Sequence, residues 1–389
     1  MTPPSGPEAV RRGSALVGRV ASSAGVSSLG AALWPFVAGR VVALCSLEAA
    51  RLLVSDAGID SLKALAASRA GLFSWDASWY LRIATSGYGH AGRAGLRFFP
   101  LLPALDKALS TIFGIGARTS MLLVTTFATL TALTLIHRLV VVETGDEALA
   151  RRAVFLLALW PAAFVLVMGY AESVLITAAA ATFLLIRNRR FAWAIIPAFA
   201  AGLCRPDGLL LALPVAIEAI RWRPSTAAGY LERLGAIAAA PAGAVAYLAW
   251  AASRASFFTP LSEQLSAHHR GTVADPLVTF AHDLAYAAHG HHLGTALHAP
   301  FAIILVILTV VAFRRWPASY GAYAAITLLV ALSAPNLDSL ERYGLGCFPF
   351  ILGLASLTGS VRVRWVVLSV SALAMFALGT LAFLGSYVP

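Results

Sequence analysis

Charge is what this sequence has least of. Asp, Glu, Lys and Arg make up 12% of its 389 residues, about half the share found in soluble domains, and that is too few to coat a globule in water. Lysine is almost missing: Lys63 and Lys107 stand alone among 29 basic residues, so the net charge of +11 rests on arginine. Asparagine occurs only as Asn188 and Asn336, and neither opens an N-x-[ST] acceptor. Cys45, Cys204 and Cys347 lie far apart, in or beside apolar runs and with no Cys-x-x-Cys. That spacing excludes a disulfide framework and reads as small core residues.

What is present is apolar. Hydrophobic residues reach 59% and mean hydropathy is +0.79, a surplus that the hydrocarbon core of a bilayer accepts and water does not. A soluble enzyme, a disordered chain and a fibrous chain are excluded. In such a protein the arginines pose a question of placement and do not point to nucleic acid. Arg11, Arg12 and Arg19 precede the first apolar stretch in the manner of a signal peptide, but Arg40, Glu48 and Arg51 interrupt it, which favours an uncleaved first span.

Apolar runs of about 17 to 25 residues are long enough to cross the bilayer as helices. The expectation is a single integral membrane domain over residues 1–389, all-α and polytopic, with about eleven transmembrane helices. The segments are 31–54, 118–142, 152–169, 171–187, 191–204, 208–220, 235–253, 298–313, 317–334, 345–360 and 365–386. The fifth and sixth are short and share the turn Arg205-Pro206-Asp207-Gly208, as a hairpin that stops short of crossing would.

Arginine sets the orientation, because short cytoplasmic loops collect the basic excess. A cytoplasmic N-terminus puts Arg138, Arg151, Arg152, Arg187, Arg189, Arg190, Arg221, Arg223, Arg233, Arg314, Arg315, Arg362 and Arg364 inside. Asp76, Glu172, Asp207, Glu263, Asp338 and Glu341 then fall outside, in a cell membrane crossed many times. Two outer loops are long, 55–117 and 254–297. Function concentrates in such loops, so the expected site faces outward.

The first loop carries Phe73-Ser74-Trp75-Asp76-Ala77-Ser78-Trp79-Tyr80, then Gly87-Tyr88-Gly89, then Phe98-Phe99-Pro100-Leu101-Leu102-Pro103. Aromatic residues favour the interface and the prolines break helices, so short amphipathic helices are expected here, for example over 60–72 with Leu62, Leu65 and Ala66 toward lipid. Asp76 between two tryptophans reads either as a general base with a raised pKa or as a helix cap. Glu172 reads as a first-turn acid or a site acid. Arg205 and Asp207 between short apolar runs read as a local ion pair or as a functional pair at depth. Arg342 in Asn336-Leu337-Asp338-Ser339-Leu340-Glu341-Arg342-Tyr343 either neutralises Glu341 or Asp338, or aims a forked cation at an anionic head group. Seven of nine histidines, His268, His269, His282, His289, His291, His292 and His298, crowd into the second long loop. They lack the zincin pattern, which leaves a solvated loop or a donor to phosphate. Gly114-x-Gly116 is no nucleotide signature, since no strand precedes it. An enzyme without a nucleotide site, facing outward, would draw an activated substrate from the membrane.

Trp75-Asp76 with Tyr80, Ile83-Ala84, Gly87-Tyr88 and Phe98-Phe99-Pro100-Leu101-x-Pro103 resemble the first luminal loop of the PIG-V type mannosyltransferases, of the GT-C class that uses lipid-linked sugars. Tyr170-x-Glu172-Ser173, Arg205-x-Asp207-Gly208, Glu263-Gln264 with Arg270, and Glu341-Arg342-Tyr343 with Phe348-Pro349 add to the likeness, which runs from about 40 to 355. The chain departs from the family at His268-His269, where an aromatic is usual after the Gln, and at Asp207, where Asn is common. Its Ala- and Arg-rich composition reads as bacterial, so the acceptor would differ from the family's glycosylphosphatidylinositol intermediate.

The resemblance implies polyprenyl phosphate mannose as donor, with its tail in the bilayer, and membrane lipids as surroundings. The acceptor, a glycolipid, polysaccharide or protein, is left open, as is the sugar within the same class. Asp76 would be the base of an inverting transfer. Arg205 and Arg342, with His268 or Arg270, would meet the phosphate. Trp75, Tyr80, Glu172, Asp207 and Gln264 would complete the binding set. No cofactor and no obligatory divalent ion is implied, although a metal is compatible with the set. A transporter or flippase for a lipid-linked or anionic substrate is the competing reading, since such proteins also hold ionisable groups on broken helices.

Overall fold

The computed structural model describes residues 7–56, 61–266, 271, 273–288, 298–334 and 337–387, without the side chains of 7–27, 56, 282–284 and 286–288. Every regular element among them is helical. Helices α1 (Pro7–Asp56), α5 (Ala117–Thr144), α6 (Glu147–Ala158), α7 (Glu172–Arg187), α8 (Phe191–Cys204), α9 (Ala212–Arg221) and α10 (Ala227–Ala252) build one part of the bundle. Helices α13 (Ala299–Arg315), α14 (Ala318–Leu332), α16 (Pro349–Leu357) and α17 (Val361–Phe383) build the rest, with the short α15 (Leu340–Gly346) between the last pair of hairpins. Three of them, α5, α10 and α17, are each long and apolar enough to cross a membrane, while α8 and α14 are apolar but shorter.

The outer surface of the bundle is itself apolar: Trp34, Trp193, Ile220, Leu231, Val366 and Leu373 are each more than 60% exposed. Contiguous apolar surface of that kind needs lipid or protein against it. The interior holds a large core that runs from Leu47 through Leu133, Leu157, Phe164 and Phe183 to Phe348, Phe350 and Phe383, with smaller clusters around Phe191 and around Phe99 and Tyr247.

Several expected segments break where local chemistry demands it. The segment 152–169 is α6 followed by a 3-10 turn, Ala163–Leu166, because Pro161 follows Trp160 and ends the helix. The segment 208–220 begins as a 3-10 turn, Pro206–Leu211, before α9. Helix α8 lies against α10 at backbone distance: a Cβ on Gly202 would sit 1.9 Å from the Ala240 carbonyl oxygen, and one on Gly243 would sit 2.2 Å from that of Phe199.

Between α1 and α5 the first loop folds into α2 (Leu62–Ala70), α3 (Asp76–Gly95) and α4 (Leu101–Phe113). Leu62 of α2 is fully turned outward, at 85% exposure. Helix α3 is kinked where Gly87 (φ 75°) and Gly92 (φ 66°) take positive φ, a conformation that glycine enters without steric cost. Helices α11 (Thr259–Gln264) and α12 (Pro276–Ala288) follow α10, and α11 packs on α3. These pieces close one end of the bundle, where the charged side chains gather.

Candidate functional site

The site begins with a strained residue. Trp75 joins the 3-10 turn Gly71–Phe73 to α3 with φ 57° and ψ −131°, a region that costs a bulky residue on the order of 1–3 kcal/mol. Its indole N–H donates to the Ala382 carbonyl at 2.9 Å, so α17 holds the turn in place. Asp76 therefore opens α3 with its side chain free of capping duty, and its backbone N–H donates to the Tyr170 hydroxyl at 3.2 Å. The capping alternative for Asp76 does not occur.

The Asp76 carboxylate instead meets Arg342, which reaches Oδ2 through Nη1 at 2.6 Å. Arg342 also approaches Glu172 Oε1 through Nε at 3.3 Å, and the Arg205 guanidinium donates to the same Glu172 oxygen. Arg205 Nε donates to Asp207 Oδ1 at 2.9 Å. The result is a continuous row, Asp76–Arg342–Glu172–Arg205–Asp207, drawn from α3, α15, α7 and the turn after α8. Glu172 is 1% exposed, and its Oε2 has no partner among the described residues. The local Arg205–Asp207 pair exists, but it is one link in this row.

Arg342 does not neutralise its own neighbour. Glu341 turns the other way into the core, where it accepts from Tyr387 Oη at 2.7 Å and lies 2.7 Å from His298 Nδ1. The Glu341 carbonyl takes the Trp160 indole N–H at 2.8 Å. These contacts fix α15, and so they aim Arg342 at Asp76.

A residue the motifs did not single out completes the charge balance. Arg97 lies between Leu96 and Phe98, whose carbonyls accept from Tyr247 and Tyr88 hydroxyls at 2.7 Å each. Its guanidinium sits 4.7 Å over the Phe98 ring. It feels the charges of Asp76, Arg342 and Glu263, yet it makes no ion pair among the described residues, and its buried Nε has no hydrogen-bond partner there. Three carboxylates and two arginines in the row, with Arg97 beside them, sum to neutrality.

These neighbours favour the ionised form of Asp76. Burial alone would raise its pKa, but Arg342, by ion pair and hydrogen bond, and then Arg97 and Arg205 together bring it below the ordinary carboxylate value. The raised pKa expected from an aromatic setting is therefore corrected: the charge of the guanidinium groups outweighs desolvation. Burial, followed by Asp76 among the nearby charges, raises the Tyr170 phenol well above its ordinary value, so it stays a neutral donor and acceptor.

The other expected residues divide. Tyr80 is buried beneath Phe98, edge to face at 5.2 Å, and its phenol feels Arg205, Glu172 and Asp76. Trp79 stacks on Phe98 at 5.6 Å. Trp75 is committed to α17 and carries Lys63 Nζ 5.4 Å from its ring. Gln264 is half-buried at the end of α11 and makes no hydrogen bond to the row among the described residues. His268, His269, Arg270, His289, His291 and His292 lie outside the described residues, as does the side chain of His282. His298 belongs with Glu341 and Asp338. Among the described residues no group of three His, Cys, Asp or Glu side chains is placed to hold a metal.

No curated protein matches the chain. Three solved structures of the oligosaccharyltransferase of Archaeoglobus fulgidus align over 91% of this chain at 13% identity. They are the apo form (TM-score 0.44, 56% of that chain), a form tethered through a disulfide to an acceptor peptide with the NVT sequon (0.42, 55%), and a complex with an inhibitory peptide and a dolichol-phosphate (0.41, 56%). The chain thus spans a little over half the length of those enzymes. A family model described as mannosyltransferase (PIG-V) matches residues 31–219, just under half of the chain, and that stretch holds Asp76, Arg97, Glu172, Arg205 and Asp207.

Proposed function

We propose that this protein is a membrane glycosyltransferase that moves mannose from a polyprenyl phosphate mannose donor to an acceptor hydroxyl, with inversion and with Asp76 as general base. One observation carries the reading: a partly exposed carboxylate, Asp76, 28% accessible at its side chain, pairs with the Arg342 guanidinium at 2.6 Å, and Glu172 links Arg342 to Arg205. The base and one phosphate-binding cation then lie at contact distance, as attack on a sugar phosphate requires.

The row suggests a sequence of events. In the resting protein Arg342 occupies Asp76 Oδ2, while Oδ1 has no hydrogen bond among the described residues. Arrival of the donor phosphate offers Arg342 and Arg97 a second anion. As Arg342 turns toward it, Asp76 loses part of the field that lowers its basicity, and it becomes a better acceptor for the proton of the attacking hydroxyl. The oxygen of that hydroxyl bonds to the anomeric carbon as the bond to the phosphate oxygen breaks, and the leaving polyprenyl phosphate keeps the electron pair. Arg97, Arg205 and Arg342 stabilise the charge on it, so that a divalent ion is not required. Glu172 holds both Arg205 and Arg342 in register as a positioning residue. About eleven spans, a cytoplasmic N-terminus and an outward-facing site complete the topology proposed here.

The test is transfer by the purified full chain in liposomes. Radiolabel should pass from polyprenyl phosphate mannose to an acceptor glycolipid or polysaccharide fraction and should not pass from a nucleotide-linked mannose. Transfer from the nucleotide sugar alone would overturn the donor assignment. Movement of labelled lipid across the bilayer with no new glycosidic product would establish the flippase reading in its place.

A further inference from the structure

The bundle contains a second basic site, remote from the first. A cavity of about 720 Å³ opens between α6 and α17. Its floor is apolar, with Phe155 and Leu368, and its mouth carries Arg151, Arg152, Arg364 and Trp365.

Two helices place it at the far end of the molecule from Asp76. Along α17, Trp365 lies seventeen positions before Ala382, the carbonyl that Trp75 holds at 2.9 Å; at a rise of about 1.5 Å per residue that is about 26 Å. Helix α6 runs the same way: Arg151 is near its start, and Trp160, just past its end, donates to Glu341 beside the site. A separation near the hydrocarbon thickness puts the arginine mouth at the opposite boundary of the bilayer.

The charges at the mouth are poorly answered from within the chain. Arg152 finds only Asp146, at 3.9 Å, and its buried Nε has no hydrogen-bond partner among the described residues. Arg151 and Arg364 make no ion pair among the described residues. Glu147, the acid at the rim, lies 3.1 Å from the buried His137 Nε2. Three guanidinium groups above an apolar slot, with an interfacial tryptophan 63% exposed beside them, match a phosphate head group above an acyl chain. Basic pockets between membrane helices bind anionic lipid heads for this reason.

We infer that this cavity is a binding site for an anionic glycerophospholipid of the leaflet opposite the catalytic end. The phosphate sits on Arg151, Arg152 and Arg364, and one acyl chain lies along Phe155 and Leu368. The site takes no part in sugar transfer, and it fixes α17, the helix that holds Trp75.

Delipidated full-length protein in detergent, titrated with phosphatidylglycerol or with phosphatidylcholine and read by native mass spectrometry, tests the assignment. The expected result is at least about tenfold tighter binding of phosphatidylglycerol, and a loss of about fivefold for each arginine changed to glutamine. Thermal unfolding should show a rise in Tm with phosphatidylglycerol that is absent from the triple variant R151Q/R152Q/R364Q. Arg364→Gln alone, on an exposed part of α17, serves if the triple variant does not fold. Equal binding of the two lipids would overturn the proposal, as would an undiminished preference in Arg364→Gln. Displacement of the lipid by inorganic phosphate at equal concentration would reduce the cavity to a simple anion site and likewise overturn it.

Discussion

Asp76 and Arg342 are 266 positions apart in sequence and 2.6 Å apart in space, and their pairing sets how the site responds to pH. A carboxyl held below its ordinary value stays ionised until the pH falls through that lowered value, so the activity proposed for Asp76 is present above it and lost below it. The wild-type acid limb should therefore fall below the normal carboxylate range. Arg342→Gln removes the strongest opposing charge, leaves desolvation in force, and should move the limb upward. A rate-against-pH profile of both proteins checks this, and a limb that stays in place would show that Arg342 does not control Asp76. Arg97→Gln should lower the transfer rate about 10²-fold, the usual effect of deleting one charge-stabilising donor, with folding intact by circular dichroism.

Helices explain why some of this was legible in the sequence. Long apolar runs announce α5, α10 and α17, whereas residues 55–117 hold the helices α2, α3 and α4, of which α3 is a kinked helix of 20 residues. Asp76, Glu172, Arg205 and Arg342 stand out because acids and arginines between apolar runs are conspicuous. Arg97 did not, since nothing local distinguishes it; its meaning comes from Tyr88 and Tyr247, which hold the backbone on either side of it, and from the charges of Asp76 and Arg342 that it feels. The direction of the Asp76 shift was equally hidden, because it depends on a guanidinium delivered by a different helix. The break at Pro161 also shortened a segment that hydropathy alone reads as continuous, and the 3-10 turn Pro206–Leu211 delays the start of α9 to Ala212. At the scale of packing, the α8–α10 contact is the most sensitive. Gly202→Ala must push the two helices apart and should destabilise the protein by about 1–3 kcal/mol, read as a lower Tm in detergent. An unchanged Tm would show that the contact yields without cost.

Across the whole molecule, charge is sorted by end. The carboxylate–arginine row lies at one end of α17, and the sparsely paired Arg151, Arg152 and Arg364 of α6 and α17 lie about one bilayer thickness away at the other. In intact cells, a cysteine placed at Ser78 in a cysteine-free background should react with an impermeant thiol reagent, and one at Ser369 should not. Reaction of both from one side would contradict the orientation proposed. Glycosyl transfer itself is the sharper trial, and Asp76→Asn is its best probe, because the amide keeps the shape and the Arg342 contact while removing the basic oxygen. The measurement is the single-turnover rate at saturating polyprenyl phosphate mannose, wild type against variant. A fall of about 10²- to 10⁴-fold with donor binding retained is the expected result; a variant that transfers at the wild-type rate would contradict the assignment of Asp76 as the base.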